Sequence, residues 1–239
     1  YYLYRSQWNR TSPTLHILPH WNWKGREGEI TPVVVYTSYP QAELFVNGKS
    51  MGVRKKVDSG VLDYAEVAKT PYWERDRVQH IQDRNDSLAM NRYRLVWDDV
   101  VYQPGEVKVV AMDDAGKPVE ERTVRTAGKA HHIVLSANRK EIVADGNDLV
   151  YVTVNVADKD GNIVPDDNRM VKFKVSGAAE FLATANGDPT CLLSFDRPEM
   201  ELFSGAATAI LRAASTPGKA ELTVSAPGVR PATIVIDVK

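Results

Sequence analysis

Two tryptophans and two histidines are concentrated in residues 16–25, HILPHWNWKG, of a chain that has only five residues of each type. The flat faces of Trp21 and Trp23, with the imidazole of His20 beside them, have the chemistry needed to stack on the apolar face of a sugar ring. The same residue types also suit the aromatic core at a corner of a β-sandwich. His20, Trp21 and Trp23 are therefore candidate carbohydrate contacts, and packing inside the protein is the alternative.

A second pair of aromatic residues, Tyr72 and Trp73, lies where the sequence loses its regular pattern. Residues 64–91 are charged and aperiodic, and they are too many for an ordinary hairpin loop. Segments of this length are usually functional or mobile. The stretch is either a variable, solvated excursion or a contact surface built around Tyr72 and Trp73.

No residues of the sequence are spaced for catalysis. Hydrolysis of a glycosidic bond needs two carboxyl groups that face each other about 5–5.5 Å or about 6.5–9.5 Å apart. Asp98–Asp99 and Glu120–Glu121 are adjacent pairs, and neighbours on a strand point to opposite faces. Serine nucleophile elbows, HExxH motifs, phosphate loops and CxxC pairs are all absent from the sequence. We expect no catalytic residue in this chain.

The sequence also offers no convincing metal or cofactor site. Residues 158–162, DKDGN, carry oxygen ligands at alternate positions, but a calcium loop needs glycine at position six and glutamate at position twelve, where this chain has Gly161 at four and Arg169 at twelve. A hairpin turn explains the motif better. His131 and His132 are expected to diverge as strand neighbours, and Cys191 has no second soft ligand near it in sequence. We predict no metal and no cofactor.

Two further turn motifs carry carboxylates next to glycine and asparagine. Residues 144–148 read ADGND and residues 186–189 read NGDP. Short Asn and Asp side chains accept hydrogen bonds from backbone N–H groups one to three residues further on. We interpret both motifs as Asx-type turns between strands.

Charge and hydropathy exclude two classes of partner. The chain has 239 residues and a net charge of −1, and its Lys and Arg residues are spread along the sequence. Binding to nucleic acid requires a concentrated basic surface. Every apolar run is interrupted well before the roughly 20 residues that a membrane span needs. We expect neither nucleic-acid binding nor membrane insertion.

The apolar pattern predicts an all-β protein. From Ile30 onward, hydrophobic residues recur with a period near two between Gly, Asn and Asp punctuation, which is typical of short antiparallel strands. Asn47–Gly48 favours a type I′ turn, so residues 42–46 and 49–53 are predicted to form a hairpin. A second series of at least six strands begins after the small residues at 126–130. Two tandem immunoglobulin-like β-sandwich domains are the predicted architecture.

The motifs resemble those of a known enzyme family over nearly the whole chain. Residues 15–23 (LHILPHWNW), 43–50 (ELFVNGKS) and 102–106 (YQPGE) are similar to the segment after the catalytic barrel in bacterial β-galactosidases of glycoside hydrolase family 2, particularly those of gut Bacteroidetes. Residues 144–149 (ADGNDL) and 203–205 (FSG) resemble the terminal immunoglobulin-like domain of the same enzymes. One departure is the sequence FLATA at residues 181–185, where the family usually has a glycine-rich approach to the following turn.

This resemblance implies the domain order and the role of the chain. Residues 1–12 would be the tail of a catalytic barrel that the sequence lacks, residues 13–128 a first accessory sandwich, and residues 129–239 a bacterial immunoglobulin-like C-terminal domain. The parent enzyme would hydrolyse β-galactosides or related β-linked sugars with retention, using two glutamates on the barrel. The partners of this region would be the barrel of the same polypeptide and its substrate. A periplasmic or secreted location is expected.

Three functions are in competition at this point. The first is a non-catalytic C-terminal region that supports the barrel and shapes the substrate cleft. The second is an autonomous carbohydrate-binding module that uses the aromatic residues. The third is a structural or adhesive tandem of immunoglobulin-like domains. Binding of galactosides by the chain alone separates the second from the first, and the absence of an upstream barrel would indicate the third.

Overall fold

The protein is described by a computed structural model for residues 1–56 and 90–239. These residues form two compact units, Tyr1–Thr126 (unit 1) and Ala127–Lys239 (unit 2). The described part of unit 1 contains α1 (Tyr2–Trp8), β1 (Leu15–Leu18), β2 (Val33–Thr37), β3 (Gln41–Val46), β4 (Lys49–Lys55), β5 (Leu95–Trp97), β6 (Glu106–Met112) and β7 (Pro118–Arg125). Candidate residues Tyr72 and Trp73 lie outside the described residues.

The described residues of unit 1 form two antiparallel sheets around one core. The first sheet has the strand order β1-β2-β5 and the second β4-β3-β6-β7. Alternation along β2 buries Val33, Val35 and Thr37 on one face, as a period of two requires. The core contains side chains from both sheets, including Val35, Leu44 and Val109. This arrangement is a β-sandwich.

The hairpin predicted at Asn47–Gly48 is present. Asn47 has φ 49° and Gly48 has φ 80°, the two positive angles of a type I′ turn. Val46 pairs with Lys49 and Phe45 with Ser50, so β3 and β4 fold back on each other directly at the turn. The side chain of Asn47 also accepts a hydrogen bond from Glu106 N–H at 2.7 Å, which ties the turn to the start of β6.

Unit 2 is a second sandwich. Its strands are β8 (His132–Ala137), β9 (Glu141–Ile142), β10 (Leu149–Ala157), β11 (Met170–Gly177), β12 (Ala179–Ala185), β13 (Glu199–Glu201), β14 (Ala206–Ala213), β15 (Gly218–Ser225) and β16 (Ala232–Val238). One sheet has the order β12-β14-β10-β8 and the other β13-β11-β15-β16-β9. Alternate residues of β10 and β14 face the core between the sheets, among them Val152, Val154, Ala209 and Leu211. The prediction of an all-β chain with β-sandwich domains is confirmed.

Four strands carry too weak a pattern to be predicted individually. β7 lies at the edge of its sheet and is mostly exposed, so it lacks apolar alternation. β9 has two residues and β13 has three. β12 contains a register shift between Phe181 and Ala183, which interrupts its alternation. Each of these strands is fixed by pairing with a partner, because its own residue pattern does not specify it.

Candidate functional site

Trp21 is a core residue of unit 1. It is 1% exposed, and its indole packs edge-on against Tyr102 with ring centroids 5.1 Å apart. Its Nε1–H donates to the carbonyl oxygen of Gln103 at 2.9 Å, and its own carbonyl accepts a hydrogen bond from the hydroxyl of Thr126. A buried indole with a satisfied N–H is the usual arrangement in a protein interior. Trp21 therefore has no free face for a ligand.

Trp23 lies at the surface end of the same segment. It is half-buried, and its ring stacks on His20 with centroids 4.3 Å apart and planes 23° apart. The guanidinium of Arg26 lies over the Trp23 ring, 5.3 Å from the centroid, and Arg26 pairs with Glu29 at 2.9 Å. We call His20, Trp23 and Arg26 the aromatic corner. It is the part of the predicted carbohydrate site that reaches solvent.

One donor in the aromatic corner has no acceptor. The Nε1 atom of Trp23 is buried and makes no hydrogen bond, whereas the backbone N–H of Trp23 donates to the hydroxyl of Tyr102 at 3.2 Å. A buried N–H without an acceptor costs about 1–3 kcal/mol.

Tyr102 links the buried Trp21 to the half-buried Trp23, although the sequence alone gave Tyr102 no role of its own. Its ring contacts Trp21, and its hydroxyl accepts the backbone N–H of Trp23. Tyr102 is itself 1% exposed, and its backbone N–H donates to the carbonyl of Glu29 at 2.9 Å. The signal available in sequence was an aromatic residue directly before the Gln103–Pro104–Gly105 turn.

His16, in the same motif, is part of a separate contact with the N-terminal helix. Its ring stacks on Tyr2 with centroids 3.4 Å apart and planes 10° apart. Burial, and then the nearby charge of Arg122, lower the pKa of His16 below its usual value. His16 is therefore neutral at pH 7 and acts as a flat packing surface for the tyrosine.

The adjacent carboxylates on β7 do not form a facing pair. Glu120 is half-buried, while Glu121 is exposed at the edge of a shallow depression lined also by His16 and Arg122. Burial, followed by a hydrogen bond to Glu120, raises the pKa of Tyr39. Glu120 is thus a packing partner of Tyr39, and its neighbour points elsewhere.

The motif at residues 158–162 is a turn held by the Asp158 carboxylate. Asp158 Oδ1 accepts the N–H groups of Asp160 and Asn162, both at 2.9 Å, and Oδ2 accepts Gly128 N–H at 2.7 Å and the Asn162 side-chain amide at 3.0 Å. Burial favours a higher pKa for Asp158, but these hydrogen bonds outweigh it and lower the pKa to about 2. The carboxylate oxygens are used for backbone donors, as the turn interpretation requires.

The other acidic turns use their carboxylates in the same way. Asp145 Oδ1 accepts the N–H groups of Asn147 at 2.8 Å and Asp148 at 2.7 Å. Asp188 Oδ1 accepts both the N–H and the hydroxyl of Thr190. Over residues 1–56 and 90–239, no three His, Cys, Asp or Glu residues are grouped closely enough to hold a metal ion.

The expected divergence of His131 and His132 is wrong. Their Nδ1 atoms lie 3.2 Å apart, and the rings meet edge-on. The reason is that β8 begins at His132, so His131 is outside the strand and does not follow its alternation. The guanidinium of Arg230 also lies 3.2 Å from His131 Nδ1.

The single cysteine of the chain, Cys191, is a packing residue. Cys191 is half-buried against the core of unit 2, with its sulfur 3.9 Å from that of Met200. Within the part of the chain that the structure describes, no helix is long and apolar enough to span a membrane.

Known proteins are similar to both units. Residues 133–235 match the family described as glycoside hydrolase family 2 C-terminal domain 5, and residues 28–120 match a domain of unknown function, DUF4982. A Bacteroides ovatus protein named beta-galactosidase BoGH2A is 36% identical over 236 residues, which is 99% of this chain and 24% of that protein.

Solved structures give the same picture. A beta-glycosidase from Bacteroides vulgatus superposes with a TM-score of 0.77 at 26% identity, covering 99% of this chain and 26% of that one. A glycosyl hydrolase family 2 member from Bacteroides cellulosilyticus superposes with a TM-score of 0.73 at 29% identity, covering 98% of this chain and 30% of that one. The chain spans less than a third of the length of each of these proteins.

Proposed function

Because the chain belongs to the C-terminal accessory region of glycoside hydrolase family 2, we propose that it is the non-catalytic C-terminal part of a β-galactosidase-type enzyme. In this proposal it supports a catalytic barrel in a longer polypeptide and takes part in carbohydrate degradation. The relative named beta-galactosidase supports this, since the chain matches only 24% of it. Degradation of an external polysaccharide suits a periplasmic or secreted location, which we include in the proposal.

The observation that carries the proposal is the exposed aromatic face of α1. Tyr4 is 57% exposed and Trp8 is 74% exposed, and their rings lie 4.7 Å apart, one helical turn from each other. Tyr1 is also exposed, at 84%. Large aromatic side chains clustered at a surface mark a place where another protein surface packs. The proposed occupant is the catalytic barrel, and residues 1–12 would be its continuation.

The finer part of the proposal is that the aromatic corner borders the substrate cleft. The stacked rings of His20 and Trp23 are only half-buried, so part of this aromatic surface reaches solvent. Trp21 supports this surface from below through Tyr102. Contact with the outer part of a β-galactoside is then made by His20 and Trp23.

We expect Trp23→Ala to lower kcat/KM about fivefold for a β-galactoside in the polypeptide that contains the barrel, because an aromatic contact of about 1 kcal/mol is lost. Trp23→Phe keeps the ring and should recover part of the loss. Steady-state kinetics with lactose and a nitrophenyl β-galactoside measure this, with a thermal melt to show that the variants are folded. An unchanged kcat/KM in folded Trp23→Ala would contradict the contact.

Trp23 also distinguishes the proposed support role from the second candidate function, an autonomous carbohydrate-binding module. Isothermal titration of the chain alone with lactose and β-galactan oligosaccharides gives no saturable heat if the chain works only beside its barrel. Saturable heat that disappears in Trp23→Ala would favour an independent sugar-binding module. The partly solvent-exposed rings of the aromatic corner are the observation that favours this alternative.

A further inference from the structure

The edge strands of the two sheets of unit 1 approach each other at β4 and β5. Trp97 Nε1–H on β5 donates to the carbonyl of Gly52 on β4 at 3.0 Å. In return, Arg54 Nε–H on β4 donates to the carbonyl of Val96 on β5 at 3.2 Å, and its guanidinium lies 5.9 Å from the centre of the Trp97 ring. These two hydrogen bonds fix the positions of both strand ends.

A cavity of about 300 Å³ opens beside this junction, a volume at the lower end of those that hold small ligands. Its polar lining consists of Arg54 and Lys55 from the end of β4, Asn91 and Arg94 from the segment before β5, and Asp98 just after β5. The lining therefore brings together three cations and one carboxylate. Arg54 is itself paired with Ala42 in its sheet, and Arg94 directly precedes Leu95, which is paired with Val35.

Within residues 1–56 and 90–239, the cations of this lining, Arg54, Lys55 and Arg94, have no ion-pair partner. Arg94 is half-buried, and its Nε atom is fully buried without an acceptor.

We propose that this cavity binds an oxyanion carried on a small ligand, either a carboxylate or a sulfate ester. The planar guanidinium of Arg94 offers parallel N–H groups that match the spacing of two oxygen atoms of such an anion. Arg54 and Lys55 add charge from the opposite strand. Asp98 repels an anion, so the ligand oxygens lie toward the two arginines. The site is separate from the aromatic corner, and it goes beyond the proposed function because a neutral β-galactoside carries no such group.

Isothermal titration of the chain at constant ionic strength tests the site with three probes: sodium sulfate, sodium glucuronate and neutral galactose. Sulfate, glucuronate or both should bind with saturation, and galactose should not displace them. Binding of both anions identifies a general oxyanion site, and binding of glucuronate alone identifies a sugar carboxylate. Arg94→Gln should weaken the binding at least tenfold.

Lys55→Gln provides a second variant in the cavity lining, and Arg10→Gln provides a control outside it. Lys55→Gln changes an exposed edge residue and should weaken binding severalfold without altering the fold, so the proposal remains testable even if Arg94→Gln is unstable. Arg10→Gln removes an exposed arginine that does not line the cavity and should bind like the wild type. The proposal is overturned if neither anion binds with saturation, or if the Lys55 and Arg94 variants bind as tightly as Arg10→Gln.

Discussion

Trp21→Ala is expected to destabilise unit 1 by about 3–5 kcal/mol, which is a large part of the stability of a typical domain. The substitution empties the position of a side chain that is 1% exposed and packed on Tyr102, and it removes the hydrogen bond to Gln103. The midpoint of thermal unfolding of unit 1 should fall by about 10–20 °C. All five tryptophans lie within residues 1–126, so tryptophan fluorescence reports the unfolding of unit 1.

Trp23→Ala is the matched control, since the same residue type is changed two positions away. Trp23 is half-buried and its Nε1 makes no hydrogen bond, so its removal should cost less than half as much stability as the removal of Trp21. Equal losses for the two variants would contradict the division of this segment into a core residue and a surface residue.

Gly205→Ala should destabilise unit 2 by about 2–4 kcal/mol. Gly205 has φ 72°, and a Cβ atom there would lie 2.2 Å from the carbonyl oxygen of Val164. Because the obstacle is backbone, it cannot be relieved by a rotamer change. Gly205 is also held by hydrogen bonds from its N–H to Asp167 O at 3.0 Å and from the Asn155 side chain to its carbonyl at 2.9 Å. Chemical denaturation followed by far-UV circular dichroism measures the loss.

Gly161→Ala is the control that separates the cost of a positive φ angle from the cost of a clash between the new Cβ and the backbone. Gly161 has φ 86°, which is as unfavourable for alanine as the angle at Gly205, but a Cβ atom there meets nothing within 4 Å. Only the conformational cost remains, about 1–2 kcal/mol. If both variants lost the same stability, the close approach of Gly205 to Val164 would have no energetic role.

The sequence was sufficient for the fold class and for most strands, because buried faces impose a period of two. The turn at Asn47–Gly48 could be predicted in detail, since its two positive φ angles are needed there and few residues supply them. Edge strand β7 could not, because an exposed edge does not require apolar alternation. Its position is determined by pairing with β6.

Residue types did not distinguish the roles of Trp21 and Trp23. On a strand, residues two apart share a face, and both would be buried or both exposed. The segment lies after the end of β1 and is not a strand, so its two indoles take different environments. The pair His131 and His132 failed for a related reason, since alternation was applied one residue before β8 begins. Periodic arguments hold only inside an element whose bounds are known.

The cavity at β4 and β5 could not be found from sequence because its cations come from separate segments. Arg54 and Arg94 are 40 positions apart, and the antiparallel pairing in each sheet is what brings their strands to one edge. The basic residues 54–56 alone are typical of an ordinary solvated strand end. Only the fold brings Arg54, Lys55 and Arg94 to one cavity.

The measurement that tests the central proposal most directly is hydroxyl-radical footprinting of Trp8, in the chain alone and in the polypeptide that joins it to a family 2 catalytic barrel. Trp8 is 74% exposed in the chain, and Tyr151 in unit 2, 44% exposed, is the internal reference. If α1 packs on the barrel, oxidation of Trp8 relative to Tyr151 falls severalfold in the joined polypeptide. An unchanged ratio would contradict the support role proposed for this region.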